Sequence, residues 1–182
     1  YYNLFYDDPK EVALKVHDAD VVAMTATSPQ YKSALDMMTG IMEHYHCHQA
    51  QEMRELTRPR FIIGGPHASA VPTDVRKDQW DCVISGEGEG HFKRFVRAVR
   101  QDRKYAAWQP VLPLDIDSIM YPDRKLIRQE RHIEQAYKDE GRRVVSILSG
   151  RGCPFRCDFC ISHAIWGRHV RIRSASNVVG EM

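Results

Sequence analysis

Three cysteines fall within eight residues, Cys153, Cys157 and Cys160, in a C-x3-C-x2-C run opened by Gly150, Arg151 and Gly152. That spacing is too tight for ordinary disulfide pairing, and thiolates on one short loop can converge on a single metal centre without long-range folding. Five cysteines in all, an odd number, point to a metal site in a reducing compartment rather than a disulfide framework. A 4Fe-4S cluster held by three thiolates keeps one iron open for another ligand. The competing reading is a structural zinc, because His163 follows Cys160 with two residues between and would complete a Cys3His set. Zinc knuckles usually show paired C-x2-C spacing, and here the first gap is three, which favours the cluster; a loop with no metal is the other alternative. Cys47 and Cys82 stand alone and read as structural.

A second group of residues lies upstream in three short loops. Thr25, Ala26, Thr27, Ser28, Pro29 and Gln30 form the first, and Gly64, Gly65, Pro66, His67 and Ala68 the second. The third is Ser85, Gly86, Glu87, Gly88 and Glu89. Small residues let backbone approach a large flat ligand, while hydroxyls and exposed amides bond its polar periphery. Each loop alone is also just a tight turn.

The elements that position these loops follow from apolar periodicity. Short apolar runs at residues 4–6, 21–24, 61–63 and 82–84 read as buried parallel strands. Between them, residues 9–18 open with a proline, Ala34, Leu35, Met38, Ile41, Met42 and Tyr45 recur at helical spacing, and Phe92, Phe95, Val96 and Val99 do so again. Alternating strands and helices imply right-handed crossovers and an α/β, doubly wound parallel sheet, in which the three loops share the carboxyl edge where ligands bind. After Arg103 the pattern breaks. Pro110, Pro113 and Pro122 punctuate a connector with no sustained helical or strand period, so the expected organisation is an α/β domain over residues 1–104, a linker over 105–143 and a second domain beginning at 144. Residues 144–148 read as a strand leading into the cysteine loop, and Ser174 and Ser176 as candidate N-caps of a helix starting near Asn177. The chain opens on Tyr1 and stops at Met182 inside that helix, and is expected to be a piece of a longer protein.

Cys-Pro-Phe-Arg-Cys-Asp-Phe-Cys, residues 153–160, resembles the C-x3-C-x-aromatic-C signature of the radical SAM superfamily. The resemblance implies a 4Fe-4S cluster on Cys153, Cys157 and Cys160. Its open iron would chelate S-adenosylmethionine, which the reduced cluster cleaves to a 5′-deoxyadenosyl radical, with Phe159 near the adenine. Residues 144–182 would then begin a partial (β/α) barrel. Gly-Gly-Pro-His-Ala with Gly-Glu-Gly-Glu upstream of that signature, and residues 114–118 and 121–124 in the linker, resemble the cobalamin-binding subgroup. That implies a flavodoxin-like first domain whose ligand is cobalamin, with Thr25, Thr27, Ser28, Gly64, Gly65, Pro66, His67, Glu87, Gly88 and Glu89 around it. The first strand and a D-x-H-x-x-G motif bearing a cobalt-ligating histidine are expected upstream of Tyr1, so no residue is assigned as lower cobalt ligand. His67 is expected beside the corrin or its tail, and Glu87 and Glu89 either bond the cofactor's hydroxyls or cap the helix near Gly90.

The reaction implied is radical chemistry at an unactivated carbon of a small-molecule substrate, chiefly methylation, with an electron donor such as flavodoxin or ferredoxin. Oxidative cyclisation of a porphyrin-type substrate is the alternative within the group. A tRNA-modifying enzyme and a non-catalytic cobalamin module with a structural metal are the other classes. Residues 141–173 hold seven arginines against one acid, Asp158. Such a run is either a solvated face or a balance for cluster or substrate charge, and in a tRNA enzyme Arg168, Arg171 and Arg173 would meet phosphate. No apolar stretch is long enough for a spanning helix and the first residues lack a signal-peptide pattern, so a cytoplasmic protein is expected, without membrane partners and with nucleic acid disfavoured.

Overall fold

The computed structural model describes residues 9–16, 19–52, 58–105 and 115–182. The strand expected at residues 4–6 and the side chain of Cys47 lie outside the described residues. Three parallel strands form one sheet in the order β1 (Val21–Thr25), β2 (Arg60–Gly64), β3 (Cys82–Val83), with Val21 opposite Arg60, Thr25 opposite Gly64 and Ile62 opposite Cys82. Parallel neighbours need crossovers. Helix α2 (Tyr31–Glu52), packed on α1 (Pro9–Lys15), makes the first, and the short helices α3 (Pro66–Ala70) and α4 (Pro72–Val75) make the second. Helix α5 (Glu89–Arg100) follows β3.

The central strand shows why both faces must be covered. Phe61 and Ile63 pack with Ala34, Met37, Met38 and Ile41 of α2 on one side, whereas Ile62 packs with Cys82, Ile84 and Phe95 of α5 on the other. Alternate side chains of a strand point to opposite faces, so a continuous apolar run is stable only between two helical layers. At the amino ends of the strands Asp81 ties β3 to β2. Its carboxylate accepts from the Phe61 amide (2.8 Å) and from both terminal nitrogens of Arg58 (2.8 and 2.7 Å).

The connector departs from expectation, since α6 (Gln129–Glu140) is a regular helix within it. Only Ile133 of this helix is buried, so its sequence shows no apolar stripe. A stop signal was nevertheless there: Gly141 ends the helix in the left-handed region at φ 68°.

The residues after 143 also differ from the reading. No ladder forms over 144–148, whose Val144, Val145 and Leu148 are exposed with no strand beside them among the described residues. Instead β4 (Gly150–Arg151) pairs antiparallel with β5 (Arg171–Ile172). An extended apolar segment becomes a strand only where another backbone completes its hydrogen bonds. Between the two ribbon strands lie the cysteine loop and α7 (Ser162–Trp166), and after them α8 (Ala175–Glu181) starts where Ser174 accepts a bond from the Asn177 amide. Ser174, not Ser176, is the cap.

Gly152 fixes the ribbon's entry into the cysteine loop. It sits at φ 92°, and a Cβ there would lie 2.0 Å from the His169 carbonyl oxygen. Gly152→Ala is therefore expected to lower stability by at least about 1–3 kcal/mol through backbone strain alone. Gly40→Ala in α2, where a Cβ meets nothing within 4 Å, is expected to raise it by about 0.5–1 kcal/mol. Urea midpoints of the two variants, moving in opposite directions, check both.

Candidate functional site

Because the sheet is parallel, the loops after β1, β2 and β3 emerge at one edge. The first two are in close contact through Gly65, at φ 90°: a Cβ there would lie 2.2 Å from the Thr25 hydroxyl, so no other residue lets them approach. The Thr27 amide and hydroxyl both donate to the Gln30 side-chain oxygen (3.1 and 2.8 Å). Ser28 Oγ lies 3.0 Å from His67 Nδ1, and the Tyr31 ring stacks on the imidazole at 4.1 Å between centroids. Tyr31 in turn donates to Asp78 and accepts from Trp80 Nε1. Burial first, then the bond to Asp78, pushes its phenol up to about 12, so it stays a donor at neutral pH. Thr27, Ser28 and His67 thus build the loops, a use of their polar groups that a short sequence motif does not disclose.

Ser69 was not singled out from sequence, yet it joins the second loop to the third. Its hydroxyl, buried in α3, donates to the Gly65 carbonyl (2.8 Å) and accepts from the Gly86 amide (3.0 Å). The only sequence signal was a small polar residue four positions after Gly65 in a helical register.

Neither acid of the third loop caps α5, whose N-cap is Gly88 with no side-chain bond. Both turn instead toward the cysteine half of the chain. Glu87 accepts from Arg151 (3.0 Å) and from Arg171, and Glu89 accepts from Arg151 (2.6 Å). These arginines flank each other across the β4–β5 ribbon, with Arg151 opposite Arg171. Burial raises the Glu89 carboxyl, but bonds from Arg151 and its own backbone amide outweigh it, and the net shift is downward. A second group has the same form: Glu181 accepts from Arg124 of the linker and Arg173 just after the ribbon. Arg173 also donates to the Leu148 carbonyl (2.8 Å) and Arg168 to that of Phe155 (2.8 Å). Much of the basic run is thus internal glue rather than a solvated face.

The cysteine loop is pinned at both ends. The Cys153 amide donates to the Gly167 carbonyl (3.2 Å) and the Cys160 amide to that of Cys157 (3.1 Å). All three thiols are free of disulfides, and bonds to the Ser162 hydroxyl and amide draw Cys160 below the ordinary thiol range. Phe159 is exposed beside them. Among the described residues no three His, Cys, Asp or Glu side chains are gathered into a metal-holding group, so neither the three cysteines nor the Cys3His set with His163 converges on one point. Helix α7 packs on α3, with Gly86 against its Ala164 and Ile165 carbonyls.

Between the glycine loops and α7 lies an open cleft of roughly 400 Å³. Of the residues anticipated from sequence, Gly64, Gly65, Glu87, Gly88 and Glu89 line it, together with Phe92, Trp166 and Arg151. Thr25, Thr27, Ser28, Pro66, His67 and Phe159 lie outside its lining, as do the three cysteines. The Arg151 Nε is buried with no hydrogen-bond partner, a donor left unsatisfied in the cleft wall.

No protein-family profile matches the chain. It is similar to an uncharacterized methyltransferase of Pyrococcus horikoshii, 27% identical over 93% of this chain and 37% of that protein. It is also similar to the cytidylyl-2-hydroxyethylphosphonate methyltransferase of Streptomyces wedmorensis, 28% identical over 74% of this chain and 33% of the relative. A third relative is the bacteriochlorophyllide d C-8(2)-methyltransferase of Chlorobaculum tepidum, 23% identical over 79% and 32%. The chain thus has methyltransferases as homologues and spans about a third of their length. No helix among the described residues is long and apolar enough to cross a membrane.

Glu89, Glu181 and Asp81 all have folded-state carboxyls below their ordinary values, burial in each case being outweighed by arginine bonds. A depressed carboxyl contributes stability above its unfolded value, about 4, and loses it as pH falls through the folded one. Urea midpoints are therefore expected to change little with these groups between pH 5 and 7 and to fall steeply below about pH 4.

Proposed function

We propose that this chain is the cofactor-binding part of a radical SAM methyltransferase that acts on an unactivated carbon of a small molecule. One observation carries the reading: the glycine-rich edge of the α/β sheet and the ribbon leading into the cysteine loop close on the same cleft. Its methyltransferase relatives agree. Cys153, Cys157 and Cys160 would hold a 4Fe-4S cluster: the donor chemistry suits it, with three free thiols on one short loop pinned by backbone bonds, and the thiols, not gathered about one point in the chain alone, would converge on binding it. When bound, the cluster with S-adenosylmethionine supplies a carbon-centred radical and cobalamin a transferable methyl group.

The chain's own residues do the holding. The Ser162 hydroxyl favours the thiolate of Cys160, the form that binds iron. Gly64, Gly65 and Gly88 keep the cleft floor free of side chains, as a broad planar cofactor needs, and Trp166 and Phe92 give it apolar walls. Arg151, held by Glu87 and Glu89, stands in the cleft wall. Phe159, exposed beside Cys160, would cover the adenine of S-adenosylmethionine. A flavodoxin or ferredoxin would deliver the reducing electron. A tRNA substrate is disfavoured because Arg171 and Arg173 turn inward to carboxylates and Arg168 to a backbone carbonyl.

The test is anaerobic reconstitution with iron and sulfide, followed by EPR of the dithionite-reduced protein with and without S-adenosylmethionine. A reduced-cluster signal that shifts on adding S-adenosylmethionine is expected. Cys157→Ala, at an exposed position where truncation costs no packing, is expected to abolish that signal while leaving the urea midpoint within about 0.5 kcal/mol of the parent. Uptake of one zinc with no such signal would overturn the assignment.

A further inference from the structure

Glu87 stands among the cofactor-loop residues in sequence, yet both its carboxylate oxygens accept from arginines of the other half of the chain, Oε2 from Arg151 and Oε1 from Arg171. The side chains of Glu87, Arg151 and Arg171 are 13–14% exposed, so the contact is shielded from salt and water. Glu87 is anchored on the sheet side, because the amide of Gly86 before it donates to the Ser69 hydroxyl of α3. Arg151 and Arg171 are anchored on the other side as opposite residues of a two-stranded ribbon. Only Gly152, left-handed and in contact with the His169 carbonyl, separates Arg151 from Cys153. With φ and the neighbouring backbone so constrained, rotation of the ribbon carries Cys153 with it.

We propose that Glu87 is a positioning residue for the cysteine loop: by binding Arg151 and Arg171 together it clamps the β4–β5 ribbon, and with it Cys153, against the glycine-rich edge of the sheet. Its importance for catalysis rests on the function proposed above, whereas the clamp itself is a property of the folded chain. The wall between the cleft and a second cavity of roughly 480 Å³, lined by Glu89, Arg151, Ile116, Tyr121, Leu148 and Arg173, is then held by this contact.

The test reads the rate at which iodoacetamide alkylates individual cysteines of the reduced, iron-free protein, resolved by mass spectrometry. Buried Cys82, in the sheet core, reports whether the fold survives. Glu87→Gln and Arg151→Gln remove opposite charges but release the same clamp. Both are expected to speed alkylation of Cys153 with Cys82 still protected, Glu87→Gln roughly ten-fold and Arg151→Gln by less because the Glu87–Arg171 pair remains, and the double variant to do no more than Glu87→Gln alone. Glu87→Asp is expected to restore part of the protection. If the two variants change the Cys153 rate in opposite directions, the effect is only that of charge on the thiolate and the clamp is refuted. An unchanged Cys153 rate, or Cys82 becoming reactive together with Cys153, refutes it as well. No iron enters the measurement, so a failed EPR experiment leaves this result standing, and a failed clamp leaves the cluster assignment untouched.

Discussion

Two guanidinium groups and one carboxylate, with Glu89 completing a neutral quartet, are taken out of water where the sheet edge meets the ribbon. Such burial is costly for each charge taken singly. It is offset only when every charge has a partner at hydrogen-bond distance and the geometry is fixed beforehand. Here the fixing is done on one side by the Ser69 hydroxyl, which holds the Gly86 amide next to the acids, and on the other by backbone, where the antiparallel pairing of Gly150 and Arg151 with Ile172 and Arg171 holds the bases. The arrangement is directional in a way that apolar packing is not, since each charge-assisted bond holds its partners in a set geometry. The cleft owes its shape to that geometry.

The same device is used a second time. Glu181, whose side chain is little exposed, receives Arg124 from the linker and Arg173 from just after the ribbon, and Arg173 also lies over the Tyr121 ring at 5.7 Å. Asp117 of the linker accepts from the Ser174 amide at the start of α8. A connector that reads in sequence as proline-broken and featureless is therefore fastened at several points to the residues that follow the cysteine loop. In its helix α6, by contrast, only Ile133 is buried.

What sequence discloses depends on how locally the information is stored. The parallel sheet was legible because three apolar residues in a row at 61–63 demand cover on both faces, and the strand spacing then places the three loops at one edge. The Ser174 cap was legible for the same reason, its partner being three residues away. The acids and arginines were not. A charge carries no periodicity, so nothing near Glu87 in the chain distinguishes a cofactor ligand, a helix cap and a partner for Arg171. The strand anticipated at 144–148 fails through the complementary gap, because β-branched composition says nothing of whether another backbone lies alongside. Ser69 is invisible because its role is defined by two loops that only the folded sheet brings together.

The separation of Glu87 from Arg171, 84 positions, has a consequence for the nascent chain. At ordinary translation speeds of roughly 5–20 residues per second, Glu87 is synthesised about 4–17 seconds before Arg171, far longer than helices and small sheets take to form. The α/β unit thus has time to fold with its acidic loop unpartnered and hydrated, presenting a pair of negative charges at the mouth of the ligand edge. Closing the long loop costs little extra entropy for its length. Docking of the arginine ribbon is then an electrostatically guided late event in biogenesis, and the cysteines reach their place only after the surface that receives them already exists.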